Sequence, residues 1–287
     1  MVKKIIVNLE KIIVFLMLLG CICCQAFANS LSVNWDRTNG SVITAVGYSA
    51  PYNYQEQVFA QRVASVAAQR NLLEIINGVQ IDSETTIENL YLASDVIKTN
   101  VNGLLKGATI VEEGQTANGS YYVKMQVPLF GATHSVASAV LPQYMAALEH
   151  KAIEKANQKN LTKETIKEVN SMSYSGLIID AKGLGLQPSF SPVIYDSNGR
   201  GIYGIRNIDK EFAISQGMVE YSDDLANASS DSRAGDNPLV IKALATKGGG
   251  NSTNSVNVVV SVEDGDKILL ANEKSGFLAN CAVVFVK

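Results

Sequence analysis

The apolar positions of the chain change period from segment to segment. Ser41–Tyr48 is β-branched and partly alternating, which predicts a strand ended by Pro51. From Gln55 to Asn77 the period lengthens. Phe59, Val63, Val66, Leu73 and Ile76 recur at helical steps, and Ala60, Ala64, Ala67 and Ala68 form a small-residue face suited to lying close on a sheet. Gly78 is placed to stop this helix, because a left-handed C′ conformation costs glycine little. Val79–Ile87 reads as a short extended piece and Leu90–Leu105 as a second helix. Gly107–Glu113 and Tyr121–Leu129 then make a hairpin around Ala117–Ser120, with Asn118-Gly119 supplying positive φ. Tyr121, Val123, Met125 and Val127 share one face of the return strand, and Tyr122, Lys124 and Gln126 the other.

Beyond Pro142 the pattern weakens. Pro142–Tyr174 reads as a helical connector rich in Lys and Glu from Glu149 onward, with a solvated charged face. From Ser175 the chain is mainly β. Gly176–Ala181 is a buried strand, and Val193–Tyr203 is a hairpin with Ser197-Asn198-Gly199 at its turn. Pro238–Leu244, Val256–Ser261 and Cys281–Val286 are further strands, and Glu263–Asn272 is a short helix. The fold class is therefore α+β: a helix-on-sheet first domain at 29–141, the connector at 142–174, and a mainly antiparallel β-rich domain at 175–287.

The first residues carry a different signal. Lys3, Lys4 and Lys11 are followed by the uncharged apolar run Ile12–Cys24. The run is too short for a membrane span, which takes about 20 apolar residues, and fits a signal peptide over residues 1–28. Ala26-Phe27-Ala28 is a small-x-small cleavage site, so cleavage is expected between Ala28 and Asn29. The rival reading takes Leu18-Leu19-Gly20-Cys21 as a lipobox, with Cys21 lipidated and the protein held at the outer membrane. On either reading the protein is exported and periplasmic or envelope-associated. Simple cleavage leaves Cys281 as the single remaining cysteine, read as a buried hydrophobe.

Composition narrows the chemistry. The net charge is −3 with 47% hydrophobic residues, so a globular chain is expected and no basic excess is present for nucleic acid. His134 and His150 are the only histidines, which leaves little for His-based metal or acid–base sites. Gly183-Leu184-Gly185 lacks a third glycine and a following helix, since Gln187-Pro188 stands there, so a dinucleotide loop is not indicated. Asp196, Asn198 and Gly199 mimic the start of a calcium loop, but Asn207 occupies the position of its closing glutamate. No catalytic residue, cofactor or metal ligand is assigned.

The segments Ala60-Gln61-Arg62, Ala67–Val79 and Ile81–Asn89, together with the Gly119–Leu129 strand, resemble the Lpp-twenty-type bacterial envelope lipoprotein family. The domain of that family is similar to the N-terminal domain of the flagellar assembly protein FlgT. The likeness covers roughly residues 42–130 and implies an exported α+β module without catalysis. The second region resembles only uncharacterised exported proteins.

Three functions follow as expectations. The first is a non-catalytic exported envelope protein that binds a protein partner or a cell-wall component. The second is an assembly or structural factor of a surface organelle, which rests on the resemblance. The third is a hydrolase using carboxylates such as Asp180 with Asp196 or Asp236. Arg62, Arg70, Asp82 and Glu84 invite a recognition role, against the plainer reading of solvated arginines and an Asp82-Ser83 turn. Ser222–Asn237, with Asp223, Asp224, Asp231, Asp236 and Arg233, reads as a long polar loop. It is a better binding candidate than Gly248–Ser255, and shortening it at Ala226–Ser232 is expected to leave the fold intact.

Overall fold

The structure, a computed structural model, describes residues 32–35, 40–149, 166, 169, 171–248 and 254–287. The expected cleavage site at Ala28 and Asn29, the alternative lipidation site at Cys21 and most of the charged connector lie outside the described residues.

Contacts gather the chain into two compact units. The first comprises residues 32–33, Ile43–Leu72 and Thr109–Gln126; the second comprises Asn34–Val42, Leu73–Ala108 and Val127–Lys287.

The first unit is built on a four-stranded sheet of β1 (Ser32–Asn34), β2 (Val42–Pro51), β3 (Thr109–Gln115) and β4 (Ser120–Pro128), in the order β1-β2-β4-β3. β3 and β4 are the expected antiparallel hairpin, and Gly119 at its turn has φ +86°. Tyr121, Val123, Met125 and Val127 are buried, as the alternation requires. Helix α1 (Gln57–Gly78) lies against this sheet by its alanines: Ala60, Ala64 and Ala68 are buried, whereas Phe59 is 71% exposed. The reason for the small face is at Gly47. A Cβ there would sit 2.1 Å from the Ala68 backbone nitrogen and 2.2 Å from the Ala64 carbonyl oxygen. Backbone thus packs on backbone along this stretch, where Val58, Phe59, Val63 and Val66 are turned outward, while Leu72 and Ile76 further along α1 are buried. Asn71 Nδ2 donates to the Val46 carbonyl at 2.7 Å and fixes the register of helix on strand.

In the second unit the helix expected over Leu90–Leu105 is two helices, α2 (Ile87–Ala93) and α3 (Asp95–Lys106). Ser94 between them is extended, and its Oγ accepts from the Ile97 N–H, so a capping side chain starts a new helix where the apolar period alone suggests continuity. α4 (Val136–Glu149) carries Pro142 in its interior, and Tyr144 and Met145 beyond it are buried. The segment that reads as the start of a connector is therefore packed helix.

The rest of the second unit holds β5 (Gly176–Asp180), β6 (Ile194–Asp196), β7 (Gly201–Tyr203), α5 (Lys210–Gln216), β8 (Glu220–Ser222), α6 (Leu225–Ser230), β9 (Pro238–Lys242), β10 (Ala245–Lys247), β11 (Asn257–Val260), α7 (Val262–Ser275) and β12 (Val283–Val286). One sheet has the order β8-β12-β5-β9 and is parallel throughout; the other has the order β10-β11-β6-β7 and is mixed. The α+β class holds. The expected antiparallel bias of this region does not, because four of its six strand pairs among the described residues are parallel. The physical reason is visible in the residues. Leu177-Ile178-Ile179 and the four residues of β12 are unbroken apolar runs, buried throughout, which suits a sheet covered on both faces.

The polar stretch Ser222–Asn237 is also not a loop. Asp224 caps α6 by accepting from the Asn227 N–H at 2.8 Å. Ala228 and Ala234 join Ile178, Val284 and Val286 in the core. Arg233 is 9% exposed and donates to the carbonyls of Gly217 at 2.9 Å, Cys281 at 3.2 Å and Gln216. The expectation that Ala226–Ser232 can be shortened without harm is corrected, since the deletion removes a core residue and a helix.

Candidate functional site

A cleft of about 560 Å³ opens in the second unit. Its size falls in the range of about 300–1,000 Å³ typical of small-ligand sites. One wall is the turn Asp82-Ser83-Glu84. The backbone there folds back on itself through the Gln80–Thr86 bridge and the Ile81 N–H, which donates to the Thr85 carbonyl at 2.8 Å. Asp82 Oδ1 accepts from the N–H groups of Glu84 at 2.8 Å and Thr85 at 2.7 Å. Its other oxygen accepts the Tyr144 hydroxyl of α4 at 2.5 Å. Further lining comes from the β6–β7 hairpin, the 3-10 turn Ile205–Asn207 after it, and the end of β10, which contribute Tyr195, Tyr203, Arg206 and Lys247.

The floor is internally satisfied. The Tyr203 hydroxyl donates to the Met218 carbonyl at 2.7 Å, and Asn257 Oδ1 accepts the Val193 N–H at 2.9 Å. The Ser191 N–H donates to the Ile81 carbonyl at 2.7 Å, tying the two walls together. Burial first, then the Asp82 carboxylate to which it donates, pushes the Tyr144 phenol far above its ordinary pKa. Tyr195 is also raised, by burial and by the charges of Asp82 and Glu84, with Arg206 opposing. Neither phenol ionises near neutral pH, so neither serves as a base there.

The rim is different. The side chains of Glu84 and Arg206 are exposed and make no hydrogen bond or ion pair among the described residues, so they do not pair with each other although both line the cleft. Lys247 places its Nζ 4.8 Å from the centre of the Tyr195 ring, a cation–π contact that holds the ammonium at the mouth.

Of the residues singled out in the sequence, Asp82 and Glu84 line this cleft, while Arg62 and Arg70 are exposed on α1 in the first unit. The Asp82-Ser83 turn is present as expected. Asp180, Asp196 and Asp236 do not line the cleft. Asp180 accepts the Lys182 N–H at 3.1 Å. Asp196 accepts the N–H groups of Asn198 and Arg200 and pairs with the Arg200 guanidinium at 2.9 Å, while the same guanidinium reaches the fully buried Asp266 at 2.6 Å. What resembles the start of a calcium loop is thus a charge-paired hairpin turn. Among the described residues no group of three His, Cys, Asp or Glu side chains is placed to hold a metal ion. No helix among them is long and apolar enough to cross a membrane. Cys281 is a buried free thiol whose burial raises its pKa.

Tyr144, Ser191, Tyr195, Arg206 and Lys247 were not legible as site residues. They come from separate elements, and no short spacing links them. The hairpin that carries Tyr195 and Tyr203 is the one feature from which a search could have begun.

Residues 176–287, from the first residue of β5 onward, match the family model described as the second domain of Treponema pallidum Tp0624. The matched span contains the wall formed by Ser191, Tyr195, Tyr203, Arg206 and Lys247. No curated protein matches the chain.

Proposed function

We propose that the protein is a non-catalytic, exported component of the cell envelope whose cleft binds part of a partner protein or of the cell wall. The observation that carries this reading is the cleft itself. Its Tyr144 and Tyr203 hydroxyls and Asn257 Oδ1 are bonded within the chain, whereas its rim presents Glu84, Arg206 and Lys247 toward solvent. Such an arrangement recognises and holds. The Asp82 carboxylate is engaged by its own turn and by Tyr144, which leaves Glu84 as the carboxylate that the cleft offers to a ligand. Export is supported by the leader-like Lys3–Ala28 segment.

Val193 lines the cleft and is half-buried, so it is the position from which to trap a ligand. A photo-crosslinking phenylalanine analogue there, activated in intact cells, is expected to give an adduct with an envelope protein or a cell-wall fragment. The adduct should disappear when Arg206 and Lys247 are both replaced by Glu. Adducts that form equally in that variant, or only with cytoplasmic proteins, count against the reading.

A further inference from the structure

The rim charges define what chemistry fits between them. Glu84 stands on the turn after Asp82, Arg206 on the turn after the β6–β7 hairpin and Lys247 at the end of β10, and all three line the one cleft. Unlike charges that share a cleft normally close into an ion pair when side-chain reach allows, and Glu84 and Arg206 do not. Both act on the Tyr195 phenol, in opposite senses, so charges of both signs lie close to the same ring. The Asp82 carboxylate adds to the acidic end from a fixed position, because two backbone N–H groups and Tyr144 lock its geometry.

We infer that the cleft takes a zwitterion: an amino acid or the end of a short peptide that carries a free ammonium and a free carboxylate. The ammonium sits at Glu84, within the field of Asp82, and the carboxylate sits between Arg206 and Lys247. The geometry favours this over a neutral saccharide for a specific reason. A sugar needs many neutral hydroxyl partners, and the Tyr144 and Tyr203 O–H groups and Asn257 Oδ1 are already bonded within the chain, whereas the exposed side chains of the rim are charged. It also favours a zwitterion over a simple anion, since an anion would share the cavity with the Glu84 and Asp82 carboxylates. Arg206 suits the carboxylate end, where a planar guanidinium can donate two parallel hydrogen bonds.

This inference rests on the binding reading above, and the test separates the two. Titration calorimetry on the full chain compares trialanine with free ends, N-acetyl-trialanine, trialanine amide and the doubly blocked peptide, with alanine as the minimal probe. Free trialanine should bind, and each single block should weaken binding tenfold or more. Glu84→Gln should abolish the discrimination against the N-acetyl form while leaving that against the amide. Arg206→Gln with Lys247→Gln should do the reverse. All three residues are exposed, so these variants should keep the fold. Tight binding of alanine alone would assign the site to free amino acids, and binding of trialanine only would assign it to peptide ends. If the doubly blocked peptide binds as well as the free one, or no form binds, the zwitterion is wrong. Should crosslinks from Val193 still form in that case, the cleft remains a binding site for another ligand class. If they also fail, the binding reading falls with it.

Discussion

Strand β4 of the first unit alternates buried and half-buried residues, while β5 and β12 of the second are buried along almost their whole length. The first sheet therefore has one strongly covered face and reaches its core by close approach: α1 comes down on Gly47 through alanines. The second reaches it by bulk. Ile178, Ile179, Val284 and Phe285 are fully buried, and Tyr221 meets the Phe285 ring edge-on at 6.1 Å. An alanine seam contributes little apolar area per residue and tolerates no added carbon. A core of branched and aromatic residues contributes much and is sensitive to losing carbon. The two regions should thus fail under opposite kinds of substitution.

The largest expected effect tests the bulky core. Phe285→Ala should cost about 3–5 kcal/mol, measured by urea denaturation of the full chain, because it removes a ring from a filled interior. A loss below about 1.5 kcal/mol would mean that the parallel sheet is not the main core, since even a single methylene is felt in a close-packed interior. Next comes the converse change in the first unit. Gly47→Ala adds one carbon 2.1 Å from backbone, so α1 must move, at a cost of about 1–3 kcal/mol. Hydrogen exchange should show faster opening of β2 and α1 with β5 and β12 little changed. Equal acceleration in all four would erase the contrast between the regions.

How much of this was legible follows from the same physics. The alanine face of α1 could be read because four small residues at helical spacing have few other uses. The β3–β4 hairpin announced itself through Asn118-Gly119 and strict alternation. The parallel sheet was missed although its signal was present: unbroken runs such as Cys281–Val286 favour a doubly covered strand, but they do not name their partners. Arg233 was hidden by its own charge. Amid four aspartates it looked solvated, yet three carbonyls from two distant places in the sequence, Gln216-Gly217 and Cys281, close around it. The cleft was the least legible, because it collects single residues from a turn, a helix, a hairpin and a strand end.

Alkaline titration offers a smaller, graded comparison. Burial raises the pKa of Tyr144, Tyr203, Tyr221 and Cys281, all in the second unit. In the first unit Tyr121 is raised chiefly by burial and Tyr122 chiefly by its hydrogen bond to Glu112. For each raised group the folded state holds its proton more tightly than the unfolded state. The stabilisation is therefore complete below the ordinary 9.0 of a thiol and 10.0 of a phenol, and it drains as pH climbs through the folded value. A tenfold tighter proton in the folded state is worth about 1.4 kcal/mol. Tm should hold to about pH 9 and then fall. Tyr221→Phe, which removes a buried phenol bonded to Ser189, should flatten that fall while lowering Tm at neutral pH. A Tm that rises above pH 10 would contradict the assignment.

The smallest expected effect concerns the outward face of α1. Val58 is 79% exposed and Phe59 71%, on the side away from the alanine seam. Sequence periodicity alone would make Phe59 a core residue, and the close approach at Gly47 is what excludes it. If the seam alone holds the helix, Phe59→Ser should change stability by no more than about 0.5 kcal/mol, as at an ordinary surface position. The pair Phe59→Ser and Ala64→Leu then separates the two explanations of this helix in a single denaturation series. Were the apolar residues packing against the unit, the serine variant would be the damaging one. Because Ala64 is fully buried over Gly47, the leucine variant should instead lose about 1–3 kcal/mol through overpacking, leaving the more hydrophobic helix the less stable of the two.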